Sequence, residues 1–148
     1  MPETLQLSLS APRAGEEVVA AVYELTGQRP KSKKEKYIFV HATEDPGVVV
    51  GCVAVKKLNW AMSEIRHLYV QEAYRTRGIG RKLIQEALAH VQTPMVCSTV
   101  DLRNQASLKA FYAHMFIPRE LFPNYATGHT VQLLIKVMPP PRRASMLQ

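Results

Sequence analysis

Residues 74–83, YRTRGIGRKL, hold four cationic side chains and two glycines just ahead of an apolar run at helical spacing. The first N–H groups of a helix lack internal partners, and the helix dipole places partial positive charge there. A glycine at such an end removes the Cβ that would keep a bound anion off the backbone. Arg75, Arg77, Arg81 and Lys82 would add charge-assisted hydrogen bonds, each about 1.5–3 kcal/mol once desolvated. A strand, then RxxGxG, then a helix therefore reads as a pyrophosphate cradle. It is neither of the two best-known phosphate loops. GxxxxGK[ST] is absent, one glycine of GxGxxG is missing, and no early βαβ unit precedes it.

The elements around this stretch can be read from apolar period. Residues 5–9 (LQLSL) alternate as a half-buried strand, and 14–27 carry Val18, Val22 and Leu25 at helical spacing up to Gly27. YIFVHA (37–42) and VVVGCVAVKKL (48–58) read as an antiparallel hairpin across the turn sequence EDPG. MSEIRHLYV (62–70) breaks period two, because Ile65 lies in one phase and Leu68 and Val70 in the other. One inserted residue near Arg66–His67, a β-bulge, restores them to a single face. From Gly78 onward, Ile79, Leu83, Ala87 and Val91 recur every four residues, with Ile84 and Leu88 beside them, as one buried helix face. MVCSTV (95–100) is a short buried strand. Asn104 is a good N-cap for a helix whose apolar face is expected to be Leu108, Phe111, Tyr112 and Met115. FIPRELF (116–122) and TVQLLIKV (130–137) complete a mixed α/β sheet. Residues 1–138 are expected to form one domain, and 139–148 (PPPRRASMLQ) a disordered basic and proline-rich tail.

Composition narrows the function classes. The chain has 148 residues, 47% of them hydrophobic, which suits one domain with a real core. No apolar run reaches the roughly 18 residues of a membrane span, and no basic-then-apolar pattern opens the chain, so a cytoplasmic protein without membrane partners is expected. Cys52 and Cys97 stand alone in apolar stretches, as buried thiols and not metal ligands; no metal is expected. Of the formal charge of +7, the stretch 30–36 (PKSKKEK) carries a net +3 and Arg142 with Arg143 a further +2. The basicity is thus local, which weakens a nucleic-acid reading while leaving it open.

The stretch EIRHLYVQEAYRTRGIGRKLIQEAL (64–88) resembles the cofactor-binding segment of the GNAT superfamily of acetyl-CoA-dependent N-acetyltransferases. That family's pattern is a strand ending L-x-V, a short loop, then [QR]-x-x-G-x-[GA], which Arg75, Gly78 and Gly80 match. NQASLKAFY (104–112) is similar to its second motif, an Asn opening a helix with an aromatic pair. The resemblance extends over roughly 5–137. Glu72 stands where the family usually has Pro, and Phe116-Ile117 where it usually has Gly-Phe. Only one helix precedes the Lys-rich stretch, where many members have two.

The resemblance implies a mixed, mostly antiparallel sheet with a splayed central strand pair and flanking helices. It implies acetyl-CoA as co-substrate. The backbone of Leu68, Tyr69 and Val70 would pair with the pantetheine arm, the amides from Thr76 through Arg77, Gly78, Ile79 and Gly80 to Arg81 would hold the pyrophosphate, and Asn104 would flank the arm. An amine would attack the thioester directly. A lysine-like amine must first lose a proton, at about 4 kcal/mol near neutral pH. Glu64 is the favoured base and His67 the second candidate, since imidazole titrates in the useful range. Tyr112 matches the family's usual donor to the leaving thiolate. Tyr125 either lines an acceptor pocket or packs at a strand start. The acceptor is left open between a protein amine and a small molecule, with the Lys-rich loop favouring an acidic macromolecule. A homodimer is also left open. The alternative reading is a non-catalytic acetyl-CoA-binding or interaction module of the same fold.

Overall fold

Seven strands and two helices make up the described parts of the computed structural model: residues 7–13, 27, 36–42 and 49–141. The strands are β1 (Leu7–Arg13), β2 (Lys36–Ala42), β3 (Val49–Lys57), β4 (Met62–Val70), β5 (Met95–Asp101), β6 (Ile117–Pro123) and β7 (Thr130–Val137). The helices are α1 (Ile79–Ala89) and α2 (Gln105–Ala113). The expected helix over 14–27, all of the Lys-rich stretch except Lys36, the EDPG turn and residues 142–148 lie outside the described residues.

One sheet runs β1-β2-β3-β4-β5-β7-β6. Every neighbouring pair is antiparallel except β4 and β5. Those two pair in parallel for three rungs only, ending at Glu64 opposite Cys97. One residue further on, Ser98 Oγ donates to the Ile65 carbonyl at 2.9 Å, a side-chain rung that replaces the ladder. Beyond it the strands diverge. The sheet is therefore split at its centre, with its unpaired β4 and β5 backbone facing the gap.

The expected bulge is present. The β3–β4 register shifts between Cys52 opposite Tyr69 and Ala54 opposite Arg66, so β4 carries one extra residue. His67 takes up the slack at φ 53°, a left-handed conformation that L-residues seldom adopt. Cys52 Sγ donates to its carbonyl at 3.6 Å. With the insertion absorbed, Leu68 and Val70 join Ile65 in contact with the core.

Packing explains why β3 reads as a continuous apolar run. Val50 through Val55 are all buried, as in a strand covered on both faces. Ile79, Leu83, Ile84 and Ala87 of α1 pack into the same core with Ile65, Val96 and Phe111. Gly51 lets this helix approach. A Cβ there would stand 3.0 Å from the Tyr69 carbonyl oxygen and 3.1 Å from Leu83 Cδ1.

Helix α2 departs from the expected pattern. Asn104 caps it as anticipated, its Oδ1 accepting from the Ser107 amide at 3.1 Å. The buried face, however, is Leu108, Ala110 and Phe111, while Tyr112 is 42% and Met115 73% exposed. The reason is where the helix stops. Met115 adopts φ 66°, the Met115 amide donates to the Tyr112 carbonyl and the Phe116 amide to that of Phe111. This is a Schellman ending with Met in the place usually held by Gly. Met115 and Tyr112 are thereby turned to solvent, and Phe116 packs edge-on against Phe111 at 4.9 Å between centroids. The Gly-Phe position of the resemblance is thus filled by Met115-Phe116, one residue earlier than the sequence reading set it.

Candidate active site

The loop from β4 to α1 is tied down before it reaches the glycines. Gln71 donates through its amide to the Val50 carbonyl at 2.8 Å and through Nε2 to that of Val49 at 2.9 Å. A 3₁₀ turn over Glu72–Tyr74 follows. Arg75 Nε then reaches back to the Val70 carbonyl at 2.8 Å, with its guanidinium over the Tyr69 ring at 5.6 Å. Thr76 (φ 67°) and Gly78 (φ 77°) bracket Arg77, so the backbone doubles back on itself ahead of α1. Alternation of this kind gathers amide N–H groups into an anion-binding hollow. Gly78 is also the N-cap of α1 and contributes no capping side chain. A Cβ on Gly80 would project into open space, leaving the backbone there accessible to a ligand.

This end of α1 forms one wall of a cavity of about 990 Å³ running to the flank of α2. Of the residues expected to hold the co-substrate, Leu68, Val70, Arg75, Thr76, Gly78, Ile79, Gly80, Arg81 and Asn104 line it. Tyr69 and Arg77 do not. Tyr69 is held under the Arg75 guanidinium, and Arg77 lies over the Tyr74 ring at 5.8 Å. A smaller cavity of about 130 Å³ fills the gap between β4 and β5. Leu68, Asp101, Asn104 and Ser107 line both, so the two adjoin.

Residues 5–116 match the model of the acetyltransferase (GNAT) family. The chain belongs to this family. Over 77 residues it is also 32% identical to an uncharacterized N-acetyltransferase of Chlorobaculum tepidum. That match covers 52% of this chain and spans about half the length of the relative. Solved structures similar to this chain share the GNAT fold, two of them as follows. One is a chain of the NatC complex bound to Gag peptide and CoA (TM-score 0.76, 20% identity, 91% of this chain and 100% of that one). The other is a GNAT family acetyltransferase from Elizabethkingia anophelis with acetyl-CoA bound (0.70, 12%, 89% and 98%).

Within this GNAT fold, the residues expected to do proton chemistry are spread out. His67, the positive-φ residue of the bulge, lines the smaller cavity. Glu64 lines neither cavity; its Oε1 pairs with Arg66 Nε at 3.2 Å, beside the last rung of the sheet. Tyr112 lines neither, because α2 presents Phe111 to the gap. Tyr125 is 96% exposed on the β6–β7 loop, outside both. Both cysteines are buried and have poor nucleophiles as a result. Burial pushes the Cys52 thiol up to about 12, and burial with the nearby Glu64 charge pushes Cys97 up to about 11.

One group, two of whose members line the larger cavity, had no signal in the sequence. Asp101 accepts from the Arg103 amide at 2.9 Å, from Nε at 3.1 Å and from a terminal guanidinium nitrogen at 3.0 Å. His129 Nδ1 lies 3.3 Å from the same carboxylate and 2.6 Å from the Arg103 guanidinium. The hydrogen bonds from Arg103 hold the Asp101 carboxyl down at about 2. This clamp ties the entrance of α2 to the β6–β7 loop at the cavity rim.

Proposed function

We propose that the chain moves an acetyl group from acetyl-CoA to a primary amine of a protein or small molecule by direct attack. One observation carries this reading: an anion hollow, a long cavity and the gap in the sheet follow one another without a break, joined at Leu68, Asn104 and Ser107. The bare backbone at Gly80 suits a pyrophosphate, and Leu68 with Val70 suit an apolar arm. Acetyl-CoA would supply an activated thioester. The amine nitrogen forms its bond to the acyl carbon as the carbon–sulfur bond breaks, the electron pair leaving on sulfur.

The chain's own residues hold and deprotonate. Amides from Thr76 to Arg81 and the Arg81 side chain receive the phosphates. Arg75, engaged with the Val70 carbonyl, holds the loop in shape. His67 takes the amine proton, as the one histidine in the lining of the gap. Glu64, paired with Arg66 just below the gap, is the second base. The thiolate takes its proton from water, because the aromatic residue that α2 brings to the gap is Phe111, which has no hydroxyl. The net +3 of the Lys-rich stretch 30–36 favours an acidic macromolecular acceptor over a polyamine.

Phe111 in the gap, in place of a hydroxyl, also favours a second reading, an acetyl-CoA-binding module without turnover. One assay separates the two. Acetyl-CoA is supplied with peptides bearing free N-termini, lysine peptides and polyamines, while thiol release and acceptor mass are followed. Catalysis requires an acceptor heavier by one acetyl group with matching thiol. CoA binding with no transfer across the panel would leave the binding module.

A further inference from the structure

We infer that Phe111 sets the length of acyl chain this protein accepts; the inference rests on the acetyl-CoA reading above. Ile65, Val100 and Phe111 are apolar residues that line the gap between β4 and β5, and unlike Leu68 they do not also line the larger cavity. The volume of the gap is about 130 Å³, slightly below the roughly 150 Å³ of a cavity that holds benzene, with six heavy atoms. Sulfur and an acetyl group amount to four heavy atoms, and the attacking nitrogen makes five. A hexanoyl thioester already has eight.

The walls are built not to give. Phe111 is 1% exposed and braced by the edge of Phe116. Asn104 fixes the start of α2 and the Schellman ending fixes its exit. On the opposite side, Ser98 Oγ holds the Ile65 carbonyl, so the strands cannot part further without losing that bond. Phe111 is the largest of these side chains and belongs to the helix, so shortening it enlarges the gap without cutting the sheet. The absence of a phenol at this position thus acquires a positive role, a flat apolar stop.

The test is a calorimetric series with CoA, acetyl-CoA, butyryl-CoA and hexanoyl-CoA, which needs no acceptor. Wild type should bind hexanoyl-CoA at least about tenfold more weakly than acetyl-CoA, since one misfitting methylene in an apolar pocket already costs about that factor. Phe111→Leu and Phe111→Ala should progressively erase the difference while CoA itself binds as before. Phe111 is buried, and where the Ala variant does not fold, the wild-type series and the Leu variant decide. Equal affinity of wild type for acetyl-CoA and hexanoyl-CoA would overturn the inference and leave the cofactor reading standing. So would a full hexanoyl deficit in a folded variant that still binds CoA. Failure of every thioester, and of CoA, would overturn both.

Discussion

Thr76 and Gly78 hold nearly the same left-handed φ, 67° and 77°, yet only one of them is glycine. That pairing shows what single residues reveal and what they hide. The Arg and Gly of the hollow are legible because their chemistry is local: a cation and a missing Cβ act within a few residues of where they stand. The Asp101–Arg103–His129 clamp is not, since it closes over 28 residues and none of its members has an unusual neighbour. It makes a sharp prediction. Asp101 ionises at about 2 in the folded chain, below its usual value near 3.9, because Arg103 hydrogen-bonds its charged form. A lowered carboxyl contributes stability above the unfolded value and loses it as pH falls through the folded one. The difference in melting temperature between wild type and Asp101→Asn should therefore be steady from pH 7 to about 5 and shrink between about 4 and 2. A difference that does not change with pH would mean the carboxylate has no such role.

Among elements, β4 was the most informative and α2 the most misleading. The bulge could be read because apolar residues in opposite phases of one strand admit few explanations, and a strand's two-residue period makes a single insertion visible. Helix α2 offers no such contrast. Residues 111 and 112 are adjacent aromatics, and a 3.6-residue period does not choose between them without knowing where the helix ends. That end depends on Met115 taking a positive φ, which no sequence rule assigns to Met. Gly51 was silent for another reason. Within GCVAV it looks like any strand residue, and only the approach of α1 gives it a purpose. Gly51→Ala would crowd the Tyr69 carbonyl and Leu83 at 3.0 and 3.1 Å. Overpacking of this kind costs about 1–3 kcal/mol, or about 3–10 °C in melting temperature at this size. CoA affinity should fall with it, because the shift is passed directly to Leu83 on α1 and to Tyr69 beneath Arg75. An unchanged melting temperature would show that the strand and helix yield freely.

At the scale of the molecule, sheet order, split centre and helix placement put the hollow at the start of α1 and the gap between β4 and β5 on a single path. The edge is guarded against pairing with other chains. β6 is exposed along its whole length, but it carries Pro118, Pro123 and a register shift, with Gln132 Nε2 donating to the carbonyls of Arg119 and Glu120 in the shifted stretch. No helix among the described residues is long and apolar enough to cross a membrane. The central claim is that the end of α1 receives the phosphates of acetyl-CoA, and Gly80 is where it is most exposed to test. Glu at this position would fill the open space with negative charge while favouring the first turn of the helix, so binding can be lost without unfolding. The decisive measurement is a calorimetric titration of acetyl-CoA into wild type and into Gly80→Glu, with circular dichroism to confirm that the variant is folded. Saturable binding to wild type and none to the folded variant is the predicted result. Equal affinity in both, or no binding to wild type, would contradict the account.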